Sequence, residues 1–303
     1  MHQRNATAAI FVALSLAACS SERQEQPAKD VGAAPSPAPT SQTEPVASNA
    51  ERNVYFGETH VHTAYSLDAY LGGTRLTPAG AYRYAKGEAV TVNGELRQLK
   101  RALDFVAVTD HAEYMGEMYS ALVEGAPGHD QELLQQLREM TDLEERQEWF
   151  IKYVVSANRS VNPEHPPFFA GPETVKSGWQ VAIDSAEEHN EPGRFSTLIA
   201  FEWSGAPNGG NLHRNVLFRD SNVPDAPVSY IDINREDGLW DWMREQEANG
   251  IKVLAIPHNS NASKGMMFPD NKANGEPMDL EYAQTRQHFE PLIEMMQIKG
   301  NSE

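Results

Sequence analysis

The chain has 303 residues, 40% of them hydrophobic, with 25 basic against 43 acidic side chains and a formal net charge of −18. Length and apolar content suffice for a sizeable core, while the acidity repels nucleic acid and anionic membrane surfaces and excludes a groove that tracks a phosphate backbone. Cys19 is the single cysteine, which excludes an internal disulfide.

Residues 1–19 are predicted to be an export signal. A short polar start with His2 and Arg4 precedes an apolar stretch from Ala8 to Ala18 broken only by Ser15, far short of the roughly 20 residues of a membrane-spanning helix. Leu16-Ala17-Ala18-Cys19 resembles the lipobox of bacterial lipoproteins, which implies lipidation of Cys19. The following Ser20 is compatible with sorting to the outer membrane, facing the periplasm. Residues 20–52 are rich in Pro, Ala, Ser and Gln and poor in large apolar side chains, so they cannot bury enough surface to fold. They are expected to tether the lipid to a folded domain at 53–303.

That domain opens on a strand-like run, Tyr55 to Thr63, containing His60 and His62. Residues two apart on a strand point to the same face, so both imidazoles can converge on one metal ion. Thr63 to Gly73 is expected to be a polar loop carrying Ser66 and Asp68. Pro78 opens a short helix to about Lys86, and Asn93-Gly94 suits the two-residue turn of a hairpin over 90–96. A strand over 103–109 then delivers Asp110 and His111. The longest helical stretch, about 130–159, is broken near Thr141-Asp142, and a further helix starts at Pro172 and ends near Asn190. Together they read as a helical insertion over the site, about 130–190.

The strand over 196–202 ends in Glu202. The Gly-rich loop 203–211 predicts a tight reversal that returns His213 beside it. A strand continues through Val216-Leu217-Phe218, a helix begins at Leu239 and is terminated by Asn249-Gly250, and a strand over 252–256 delivers His258. Residues 292–298 read as one more strand. His2, His129, His165, His189 and His288 fall outside this pattern and are read as bland. Hydrophobic strands with chemistry at their tips are the layout of a barrel or open α/β sheet with a site across one end.

Phe56-Gly-Glu-Thr-His-Val-His-Thr63, Val108-Thr-Asp-His-Ala-Glu-Tyr-Met-Gly116, Phe201-Glu-Trp-Ser-Gly205 and Ile256-Pro-His-Asn259 together resemble the polymerase and histidinol phosphatase (PHP) superfamily of metal-dependent phosphoesterases, in an exported bacterial branch of unknown function. The resemblance spans about Asn53 to Glu303. It implies an α/β fold, a distorted (β/α)7 barrel, with two or three divalent ions (Mn, Zn or Fe) at the strand ends. Carried over by position, the ligands are His60, His62, Asp68, His111, Glu202, His213 and His258, with Glu202 bridging two ions. The family's final Asp-x-His has no counterpart, which predicts a C-terminally truncated chain, an incomplete barrel and weakened hold on metal.

The implied reaction is hydrolysis of a small anionic phosphate ester, or a related sulfate or phosphonate ester. Two ions about 3.5 to 4 Å apart generate a bridging hydroxide near neutral pH and neutralise the charge of an in-line displacement. Asp110 is expected to orient a ligand histidine, and Arg214 either to steady the anionic substrate or to make a surface ion pair. Two other readings stand beside this one. A one- or two-metal amidohydrolase-like site would cleave a C–N bond, and a non-catalytic lipoprotein would use the metal structurally.

Overall fold

The computed structural model describes residues 52–92, 94–155, 162–272 and 274–302. The export signal, Cys19 with its lipobox, and the tether up to residue 51 lie outside the described residues. No helix among the described residues is long and apolar enough to cross a membrane.

Strand β1 (Gly57–Val61) lies against β4 (Phe105–Val108) in parallel. Their approach requires Gly57, because a Cβ there would overlap the Phe105 ring. Between them come α1 (Leu67–Leu71), α2 (Pro78–Ala85) and the hairpin β2 (Val90–Val92) with β3 (Glu95–Arg97). Thr77 caps α2 by accepting from Gly80 N at 3.2 Å, with proline in the first turn where its missing N–H is harmless. α1 corrects the expectation of an open loop at 63–73. Leu67, Tyr70 and Leu71 are buried, and that burial outweighs the shortness of the helix.

After β4 the chain forms α3 (Met115–Leu122), α4 (Glu132–Glu139) and α5 (Leu143–Phe150), which runs on into a wider π-helical turn at Ile151–Val155. The break between α4 and α5 falls where expected. Asp142 accepts from Glu144 N and Glu145 N at 2.8 and 3.1 Å and so starts a new helix. α6 (Pro172–His189) follows.

β5 (Ser196–Leu198) extends the parallel sheet to the order β1-β4-β5, and β6 (Ala200–Gly205), β7 (Leu212–Phe218) and β8 (Val253–Pro257) form an antiparallel sheet in that order. α7 (Glu236–Ala248) connects β7 to β8, and Gly250, at φ +84°, supplies the left-handed residue beyond its end. Glu202 N donates to Asp110 O at 3.0 Å, with His111 and Glu202 as bridge partners, and this joins the two sheets. α8 (Leu280–Phe289) leads to a last small hairpin, β9 (Met296–Gln297) with β10 (Gly300–Asn301). The strand expected over 292–298 is therefore confined to two residues, and Glu294 N instead donates to Pro257 O at 3.1 Å.

The fold is α/β, but its strands do not close into a barrel among the described residues. The physical reason is local. The short loop after β6 makes a hairpin, so β7 runs antiparallel where a helix crossover would have kept the strands parallel.

Trp179, Phe201, Trp203, Phe218 and Trp240 centre the main core beneath the sheets, and Leu134, Leu137, Trp149 and Phe168 fill a second core under α3 to α5. Each such side chain contributes roughly 1.5–3 kcal/mol by leaving water. Together they hold the strand ends at fixed spacing.

Candidate metal centre

Alternation along each strand selects the site residues. His60 and His62 share one face at the end of β1, beyond a register irregularity after Glu58, and Glu202 and Ser204 share one face of β6 while Trp203 enters the core. On β7, His213 and Asn215 face the site and Arg214 faces the other way. Register puts His213 opposite Ser204, so the tight loop delivers it beside Glu202 as expected. His111 follows β4 and His258 follows β8, where Asn259 adopts a left-handed φ of +63° that asparagine tolerates.

The Glu202 carboxylate, fully buried, is the centre. Its Oε2 lies 2.6 Å from His62 Nε2 and 3.3 Å from His60 Nε2. Its Oε1 lies 2.6 Å from His213 Nδ1 and 3.1 Å from His258 Nε2. On one flank His62 Nδ1 is 3.1 Å from both oxygens of Asp68, whose Oδ2 is 3.4 Å from His111 Nε2. On the other, His60 Nδ1 is 2.7 Å from Glu294 Oε2.

Four overlapping donor groups result: His60–His258–Glu294, His60–His62–Glu202, His62–Asp68–His111 and Glu202–His213–His258. All seven sequence-predicted ligands come together here. The second and fourth groups share only Glu202, and a carboxylate can serve two ions through its two oxygens.

Electrostatics shows what the cluster lacks. Burial opposes ionisation of Glu202, yet His111, His258 and His62 hold its carboxyl well below the usual range. Burial likewise opposes a charge on Asp68, and His62 and His111 again prevail, keeping it far below its ordinary value. The carboxylates act back on the rings. Burial works against the His62 imidazolium, but Asp68 and Glu202 raise it to about 9. His60 and His111 are raised in the same way against the same burial penalty. His258 is driven down to about 4 and His213 is lowered, because for these two rings burial outweighs the pull of Glu202.

The site thus favours positive charge beside its carboxylates, which divalent ions would supply. Two ring nitrogens fit this directly. His213 Nδ1 and His258 Nδ1 are buried without a hydrogen bond, although the first lies 2.6 Å from Glu202 Oε1. Imidazole and carboxylate donors suit Zn, Mn or Fe.

Other buried groups hold the cluster in place. Ser204 Oγ pairs with His111 Nδ1 and lies 3.3 Å from Glu202 Oε1, so the hydroxyl sets the orientation of the ring. Buried Glu113 accepts from Ser204 N and Tyr230 N at 2.8 and 2.9 Å. Asn215 Nδ2 donates to Thr59 O at 3.1 Å, tying β7 to β1 between the histidines.

Two expected roles change. Asp110 orients no histidine directly; it accepts from Thr63 N and Thr63 Oγ1, both at 2.6 Å, and so fixes the end of the strand that carries His60 and His62. Burial, partly offset by Thr63, raises its carboxyl to about 6. Arg214 is neither at the cluster nor on the surface. It is wholly buried behind β7, with Nε 2.9 Å from Glu290 Oε1 and Nη1 donating to Leu212 O.

Glu294, Glu113, Ser204 and Asn215 were not among the sequence-predicted ligands or orienting residues. Ser204 and Asn215 were within reach through strand alternation with Glu202 and His213. Glu294 carries the same signal as Glu202, an acid beside an apolar run, but its partner is far away in sequence.

Two cavities meet at the cluster. One, of about 410 Å³, is lined by Glu58, His60, His62, Asp68, Glu294 and the β9–β10 turn. The other, of about 280 Å³, is reached past Asp68, His111 and His213 and is walled mainly by apolar side chains. A family model described as "Protein of unknown function (DUF3604)" matches residues 49–303. No curated protein and no solved structure matches the chain.

Proposed function

The chain belongs to that family, DUF3604, and from the site it carries we propose a metal-dependent hydrolase of phosphate esters, or of chemically similar sulfate or phosphonate esters, working in the manner of PHP-type enzymes. The observation that carries the reading is Glu202. Each of its oxygens is approached by a different pair of histidines, which is the arrangement of a carboxylate shared between two ions. Under this reading the seven histidine and carboxylate ligands, joined by Glu294, hold two or three divalent ions. Bound there, such ions would supply Lewis acidity, acidifying water and neutralising charge that develops on the ester oxygens.

The protein's own part is positioning. Ser204 fixes His111, Asp110 fixes the end of β1 through Thr63, and Asn215 holds β7 against β1, so the donor atoms are set before substrate arrives. Glu202 is sealed from water, whereas the Asp68 side chain is 40% exposed, which makes the Asp68 side the entrance for a small anion. Side-chain nucleophiles have no role in this proposal. A PHP-type barrel and a lipid anchor at Cys19 in the cell envelope belong to the same reading.

The test is hydrolysis by purified protein loaded with Mn or Zn, with phosphate, sulfate and amide substrates side by side. Ester turnover that rises with metal and vanishes in Glu202→Gln supports the proposal. Turnover of the amide alone would replace it with the amidohydrolase-like reading, and turnover of nothing by a metal-loaded chain would leave a non-catalytic metal protein.

A further inference from the structure

The smaller cavity differs in character from the one it meets. Asp68, His111, His213 and Lys299 line it together with Glu113, Ser204 and Asn211, and Leu67, Tyr114, Phe150, Val154, Val155 and Ala206 give it an apolar wall. Lys299 and Asp68 line both cavities, so the two adjoin at that edge of the cluster. The larger cavity is bordered by Glu58, Thr59, His60 and Glu294 and is polar on that side. An anion held at Asp68 and His111 therefore has a wet, acidic space on one side and an apolar slot on the other.

The slot is a product of the helical insertion. Phe150 ends α5, and Val154 and Val155 lie on the π-helical turn that follows. Val154 packs with Trp149, Phe168 and Leu137 into the second core, so this wall is supported from behind. Leu67 begins α1 and Tyr114 precedes α3, which brings the opposite wall from the same elements that carry Asp68 and His111. A pocket of about 280 Å³ is at the small end of the range for organic ligands and suits a single ring.

Resting on the hydrolase reading, we propose that the substrate's organic group is an apolar ring, an aryl ester, seated in the slot between Phe150, Val155, Leu67 and Tyr114. The ester's charged end meets Asp68, His111 and Lys299, and the larger cavity is left to water. A sugar-like or polyol group would set hydroxyls against the Phe150, Val154 and Val155 wall, whose side chains cannot bond them, which disfavours it there.

The experiment uses the full chain loaded with Mn and two anions that it cannot turn over, phenylphosphonate and methylphosphonate, titrated by calorimetry. The ring should bind roughly tenfold tighter or more, as expected when a phenyl group leaves water for an apolar slot. Phe150→Ala and Val155→Asn should each bring phenylphosphonate close to methylphosphonate while leaving the latter unchanged. Melting temperature and metal content of both variants report on folding separately from binding. Equal affinity for the two anions, or an undiminished gap in both folded variants, overturns this inference alone. Failure of both anions to bind the metal-loaded chain overturns the hydrolase reading and the inference with it.

Discussion

Replacing Glu202 by glutamine keeps the shape and removes the charge. The side chain is fully buried, with four imidazole nitrogens between 2.6 and 3.3 Å from its two oxygens, so no water can take over its role. Two of the four donor groups lose their carboxylate. His60–His258–Glu294 and His62–Asp68–His111 survive and share no residue.

A unit charge pair about 4 Å apart at an effective dielectric of 20 is worth about 4 kcal/mol, and a divalent ion feels at least that. The Gln variant should therefore bind its central ion at least roughly a thousandfold more weakly. The assay is titration with Mn or Zn at neutral pH, with elemental analysis after dialysis. Circular dichroism checks the fold. Ions should remain only in the outer groups, held loosely. Stoichiometry and affinity unchanged within about threefold in a folded variant would refute the reasoning that Glu202 is shared between ions.

Ser204→Ala should weaken metal binding by roughly 10- to 100-fold with little change in melting temperature, because the hydroxyl orients His111 without being a ligand; affinity equal to wild type would contradict this. Arg214→Met removes the nearer of Glu290's two arginine partners, leaving Arg286 at 3.8 Å, and should lose about 1.5–3 kcal/mol in urea unfolding, while the metal stoichiometry of the folded fraction stays the same. His189 is held below its ordinary value by burial first and by Lys86 second. The folded imidazole therefore resists a proton that the unfolded chain accepts below about pH 6.5, and stability is lost as pH falls through that range. In chelator, His189→Gln should lose less stability than wild type between pH 7 and 5.5, and an equal or larger loss would dismiss His189 as a source of the acid sensitivity.

Much of the site was legible because strands impose a period of two. His60 with His62, and the hairpin that sets His213 beside Glu202, follow from alternation and a Gly-rich loop, and the structure has both. The break at Asp142 and the proline start of α6 were likewise local. What escaped depends on distant partners. Arg214 reads as a substrate contact or a surface ion pair until Glu290, 76 residues on, pairs with it in the core. Glu294 becomes a donor only because the segment after α8 runs beside β8.

α3 and α8 were missed for different reasons. α3 is buried on nearly every side and shows no polar face, whereas α8 buries only Tyr282 and Phe289. The α/β layout was legible, whereas closure into a barrel is not seen among the described residues, where β6 and β7 are joined by a hairpin. Asp110 was rightly placed near the ligands, but its partner is Thr63 and no imidazole.

The most direct measurement is anomalous diffraction from crystals of the chain grown with Mn or Zn, collected on both sides of the metal absorption edge. The account predicts two or more peaks about 3.5 to 4 Å apart straddling the Glu202 carboxylate, one towards His60 and His62 and another towards His213 and His258. No peak at the cluster, or a single peak away from Glu202 in crystals saturated with metal, would contradict it.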